Sequence, residues 1–195
     1  MSWNINRIGV VSMPMRLFFV TFLALGAGVS TAFADQTDPR LDDLFVELRS
    51  GDGLSAEETV GRIQAIWSDA QSDTVDVIFE RAVQSAAAGE LQLAEALLDN
   101  VTGLAPNFSQ GWAMRGVVRL EDDNLTGALD DFTTALALEP RQFEVQIAVA
   151  NMQLASGDKR GAYDRLQQAL EWNPHDEHAR TLARKLRREL DGQEI

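Results

Sequence analysis

Residues 127–140, GALDDFTTALALEP, recur in register 34 residues upstream as LAEALLDNVTGLAP (93–106) and 34 residues downstream as GAYDRLQQALEWNP (161–174). A small residue returns as Ala94, Ala128 and Ala162, and a large apolar one as Leu98, Phe132 and Leu166. Val101, Ala135 and Ala169 follow, and then Pro106, Pro140 and Pro174. The half-unit before each copy aligns too, without insertion: VDVIFERAVQSAAAGE (75–90), SQGWAMRGVVRLEDDN (109–124) and FEVQIAVANMQLASGD (143–158). A fixed internal period decides architecture before any other signal does.

Each half-unit has helical spacing and closes on a turn: Gly89-Glu90, Asp123-Asn124 or Gly157-Asp158. Those residue types accept the left-handed or turn conformations that end a helix. The unit therefore predicts an antiparallel helix pair. Ala82 should meet Ala94, Gly116 should meet Ala128, and Ala150 should meet Ala162, because minimal side chains let two helices approach and set their crossing angle. Leu98, Phe132 and Leu166 should project toward the next pair. The prolines lack an N–H and disfavour helix in the residue before them, so each pair stops there.

The pattern resembles the tetratricopeptide repeat family, most closely through Trp112, Gly116, Ala128, Phe132, Ala135 and Pro140. It departs from that family at Arg81, Arg115 and Val149, where a Leu-like residue is preferred, and at Ser85 and Arg119, where Tyr is common. The resemblance implies an all-α fold, a right-handed α-solenoid of antiparallel helix pairs with units at 75–108, 109–142 and 143–176. Residues 35–74 read as a degenerate N-terminal helix pair. Its first helix carries Leu41, Leu44, Phe45 and Leu48, and its second opens on a Ser55/Glu58 capping box and continues through Ile63, Ile66 and Trp67. Residues 177–195 read as a capping helix and tail. Ala179, Leu182, Ala183, Leu186 and Leu190 lie on one face, and Arg180, Arg184, Lys185, Arg187 and Arg188 on the other. Nine helices are expected in total.

Ahead of the repeats, Arg7 and Arg16 precede the apolar run LFFVTFLALGAGV (17–29), and Ala32-Phe33-Ala34 stands before acidic Asp35. This predicts a signal peptide over 1–34, cleaved between Ala34 and Asp35. The run is short of the ~20 residues that span a bilayer, so no membrane span is expected in the mature chain. A compact signal and the absence of cysteine suit a periplasmic or secreted protein.

The net charge of −13 repels phosphate backbones, so nucleic acid is not an expected partner. Without cysteine there is no disulfide, thiol nucleophile or zinc–thiolate site. His175 and His178 share a helix face but have no further ligand cluster, and a polar first turn explains them. The EDDN stretch (121–124) lacks the spacing of a calcium loop. No phosphate loop, nucleophile elbow or HExxH occurs. Neither a catalytic site, a metal nor a cofactor is expected.

The family resemblance further implies that a protein or peptide lies against the inner face of the first helix of each pair. Here that face carries Asp76, Phe79 and Val83, then Gln110, Ala113, Val117 and Leu120, then Glu144, Ile147, Asn151 and Leu154. Chaperone-tail-binding members clamp a terminal carboxylate with cations, but here those places hold Phe79, Gln110 and Ile147, leaving only Asn151 similar. An apolar trough with an acidic rim suits a segment bearing aliphatic anchors and some Lys or Arg. The expected function is a non-catalytic interaction scaffold of the periplasm. The alternative is a fixed accessory subunit of an envelope-assembly or cytochrome-maturation complex.

Overall fold

The computed structural model describes residues 37–51 and 53–192; the signal peptide expected over 1–34 and its expected Ala34–Asp35 junction lie outside the described residues. Among the described residues there are nine helices and no strands: α1 (Arg40–Ser50), α2 (Gly53–Trp67), α3 (Asp73–Ala87), α4 (Leu91–Leu104), α5 (Ser109–Glu121), α6 (Leu125–Leu138), α7 (Phe143–Ala155), α8 (Lys159–Trp172) and α9 (Glu177–Asp191). No described helix is long and apolar enough to cross a membrane.

The repeat register governs α3 to α9. Tight turns follow α3, α5 and α7, with positive φ at Gly89 (77°), Asp123 (60°) and Gly157 (89°). Glycine takes that conformation at no steric cost, and aspartate tolerates it. Asn124 and Asp158 then cap the next helix by accepting hydrogen bonds from the Gly127 and Gly161 amides, and Asp176 does the same for α9. The small positions are fully buried: Ala82, Ala94, Ala128, Ala150 and Ala162. At Gly116 the close neighbour is an aromatic ring, because a β-carbon there would lie 2.5 Å from Phe132 Cε1. Phe132 thus covers Gly116 of its own pair while joining Val145 and Val149 of the next in one apolar cluster.

The second pair is also stitched by charge. Asp131, 2% exposed, accepts from Arg115 Nη2 at 2.7 Å and Arg119 Nη1 at 2.8 Å. The same guanidiniums reach back to the first pair, Arg115 to Asp99 at 2.8 Å and Arg119 to Glu95 at 2.7 Å. Burial works against the Arg115 charge, but Asp131 and Asp99 more than offset it and hold the guanidinium above its ordinary pKa. Arg115 and Arg119, which depart from the Leu- and Tyr-like pattern, thus tie α4, α5 and α6 together through one ion-pair network.

The N-terminal pair forms as expected, except that α2 begins at Gly53, so Ser55 lies within the helix rather than capping it. Its buried residues Leu41, Leu44, Phe45, Leu48, Ile63, Ile66 and Trp67 share a cluster with Phe143 and Ala169 of the third repeat. Phe45 sits edge-on to Trp172 at 5.4 Å, and Trp67 packs on Phe143 at 5.8 Å. Asp42 pairs with Arg141 at 2.8 Å, and the Arg141 guanidinium lies 5.0 Å over the Phe45 ring. Glu139, itself buried, holds Arg141 in place through a second ion pair at 2.7 Å. The hairpin is folded back onto the third repeat.

Candidate functional site

The eleven residues assigned to the inner face separate into distinct groups, of which Ala113 is buried in the core cluster around Phe132. Asp76 accepts a hydrogen bond from the Ala70 amide at 2.8 Å and so caps the α2–α3 linker. Phe79 is buried, edge-on to Phe108 at 5.1 Å, and belongs to the core of the first repeat. Val83 is exposed. Leu154 is half-buried against the α7–α9 cluster.

Gln110, Val117, Glu144 and Ile147 lie where the N-terminal hairpin docks. Ile147 packs against the hairpin cluster, and Gln64 Nε2 donates to Glu144 Oε1 at 2.6 Å. Desolvation pushes the Glu144 carboxyl above its ordinary pKa; the Gln64 bond works the other way, and the charge of Asp176 adds to the rise. Gln110, Val117 and Glu144 line a cavity of about 200 Å³ whose wall includes Trp67. Trp67 Nε1 and Gln142 Oε1 are buried without a protein hydrogen-bond partner, and both residues line that cavity. The cavity is lined mainly by apolar side chains, so these two atoms and the Gln110 and Glu144 side chains are its polar edge. This part of the inner face is partly covered by the chain itself, with Val117 and Glu144 still reaching solvent.

Leu120 and Asn151 open instead onto a larger apolar cleft of about 560 Å³ between α6 and α7. Its walls are Leu125, Leu129, Val149 and Met152, with Thr126, Asp130, Gln153, Ala155 and Ser156 at the edges. Leu125 is 56% exposed and Leu129 44%. Sequence reasoning missed Leu125 and Leu129 because it followed only the first helix of each pair, and these belong to a second helix. A signal did exist. Where the first and third repeats have Glu95 and Tyr163, the second has Leu129, and Lys159 of the third becomes Leu125.

Among the described residues no group of three or more His, Cys, Asp or Glu is placed to hold a metal ion. What the surface offers is shape and apolar area, with acidic side chains around it.

Residues 119–186 match the tetratricopeptide repeat family model. A tetratricopeptide repeat-containing protein of Rhizobium etli is 25% identical over 154 residues, 78% of this chain and 76% of its own length. Among solved structures, the first TPR of Spaghetti (RPAP3), bound to the HSP90 peptide SRMEEVD, is similar with a TM-score of 0.56 at 17% identity, over 60% of this chain and 93% of that one. The Yersinia enterocolitica type III secretion chaperone SycD, in complex with a peptide of the translocator YopD, gives 0.53 at 16% identity, over 62% and 92%. At such identities the solved neighbours speak to fold alone. The 34-residue register, the family match over 119–186 and the Rhizobium relative make the chain similar to tetratricopeptide repeat proteins, and the solved neighbours share its all-α repeat fold.

Proposed function

We propose that the chain is a non-catalytic protein-interaction scaffold that holds a segment of a partner protein on its second and third repeats, in the periplasm after loss of residues 1–34. The observation that carries this reading is the 560 Å³ apolar cleft bounded by α6 and α7, into which Leu120 and Asn151 open. Apolar openings of this size with a few polar groups at the edge mark binding sites more often than they mark defects of packing. Two solved neighbours, Spaghetti and SycD, hold peptides, which makes peptide binding a natural use of the fold. The acidic charge of the whole chain argues for a protein rather than a nucleic-acid partner.

A photoreactive residue replacing Leu120 should capture a discrete partner in cells, and the same residue at exposed Gln168 should not. Equal capture from both positions, or none from either, overturns the reading. N-terminal sequencing of the periplasmic protein should begin at Asp35; an intact N-terminus in the cytoplasmic fraction rules out the location. The alternative of a fixed accessory subunit requires aggregation when the protein is made alone, whereas a scaffold that binds and releases sediments as one species.

A further inference from the structure

The 34-residue register allows the junctions between successive helix pairs to be compared column by column. Between the first and second pairs, Arg119 Nε donates to Glu95 Oε1 at 2.7 Å, and Gln92 Nε2 to Asp122 Oδ1 at 3.2 Å. Between the third pair and α9, Lys159 Nζ donates to Glu189 Oε2 at 2.7 Å. Moved one repeat onto the middle junction, these three bridges fall on Leu129 and Gln153, Thr126 and Ser156, and Leu125 and Ala155. None of those six positions carries a charge. Both flanking junctions are bridged by an ion pair, with only a smaller cavity of about 180 Å³ beside Tyr163 and Arg187 at the last one. The middle junction has no such pair at these positions and holds the larger apolar cleft.

The open walls have helical spacing. Leu125 and Leu129, at i and i+4, stand on one side of the cleft, and Val149 and Met152, at i and i+3, on the other. Ridges so spaced form a groove into which a third helix can set its own side chains. The electrostatics have one sign: Asp130 lines the cleft, and Glu121, Asp122 and Asp123 are exposed on the turn beside it. No lysine or arginine is among the lining residues. The nearby cation Arg119 is already held by Glu95 and Asp131.

We propose that the α6–α7 cleft docks a helical segment of a partner protein bearing two aliphatic side chains one turn apart, flanked by Lys or Arg. This rests on the reading of the chain as an interaction scaffold and adds to it the site and the chemistry of the bound segment. The aliphatic anchors enter between Leu129 and Met152, and the basic flank lies over Asp130 and the 121–123 turn. The ion pairs that would close the junction are absent because a closed junction could not admit the anchors.

The chain has no cysteine, so Thr126→Cys at the cleft edge can carry a single environment-sensitive fluorophore on the otherwise intact protein. Titration with a synthetic amphipathic Leu/Lys helix should give saturable binding, at least about tenfold tighter than the same helix with Glu for Lys. Leu125→Ser with Leu129→Ser, at two exposed positions and with no change of charge, should weaken binding about tenfold or more. Leu129→Glu with Gln153→Arg transplants the bridge of the first junction without altering net charge, and should abolish binding while raising thermal stability. Equal binding of the two helices, no binding of the Leu/Lys helix, or undiminished binding by the transplanted variant overturns the proposal. A partner captured at Leu120 together with no binding of the Leu/Lys helix would sink the chemistry assigned to the bound segment and leave the scaffold reading standing.

Discussion

Asp131 has its two oxygens shared between Arg115 and Arg119, with only 2% of its surface exposed. Removing one member of such a group leaves uncompensated charge in a poorly hydrated place. Asp131→Ala should therefore cost about 3–5 kcal/mol, measured by urea denaturation, while Asp99→Ala at the exposed end of the same network should cost under about 1 kcal/mol. A equal cost for the two would mean that burial is not what gives Asp131 its weight. Gly116 poses a steric version of the same constraint. The Phe132 ring occupies the volume a β-carbon would take, so Gly116→Ala should destabilise by about 1–3 kcal/mol, although alanine is the better helix former. Pairing it with Phe132→Leu should recover part of that loss if the ring is its cause.

At the scale of the helix, α7 carries both sides of the molecule's chemistry: Glu144 and Ile147 meet the hairpin, and Val149 and Met152 line the cleft. The Glu144 carboxyl is held above its ordinary value by desolvation, so the folded chain takes up a proton more readily there than the unfolded chain does. The sign follows: this residue's contribution to stability rises as pH falls from neutral toward 4.5 and is lost as pH rises through the folded value. Glu47 and Glu189 are lowered, by the Thr59 hydroxyl and by Lys159, and their contributions disappear only below that range. Glu144→Gln should accordingly flatten the melting temperature between pH 4.5 and 7, and an unchanged slope would show that another group is responsible. The helices themselves were legible in the sequence, since turn residues at 89, 123 and 157 and prolines at 106, 140 and 174 punctuate one period. The capping-box reading of Ser55 placed the α2 start too late, in a segment outside that period. The docking of α1 and α2 was not legible either. A repeat encodes what each unit presents to its neighbour, whereas Phe45 meets Trp172 and Asp42 meets Arg141. The cleft was half legible: Leu120 and Asn151 lie in it, but its exposed wall is on α6, outside the face that the family resemblance singles out.

For the whole molecule, the folded-back hairpin changes what kind of array this is. A linear solenoid is stabilised by nearest neighbours and can fray from an end. Here the first helices are tied to the last repeat through Phe143, Ala169 and Trp172. Phe45→Ala should cost about 3–5 kcal/mol, and native-state hydrogen exchange should show protection falling in α7 and α8 more than in α3 and α4. Protection lost equally across all repeats would mean that the hairpin is not a local brace of the third. The same closure sets an order of events at synthesis. Leu41, Leu44, Phe45 and Leu48 leave the ribosome about a hundred residues before Phe143, Ala169 and Trp172, a wait of roughly 5–20 seconds at ordinary elongation rates. During that interval an apolar helix pair has no surface of its own to settle on, and whatever shields it must let go when the third repeat arrives.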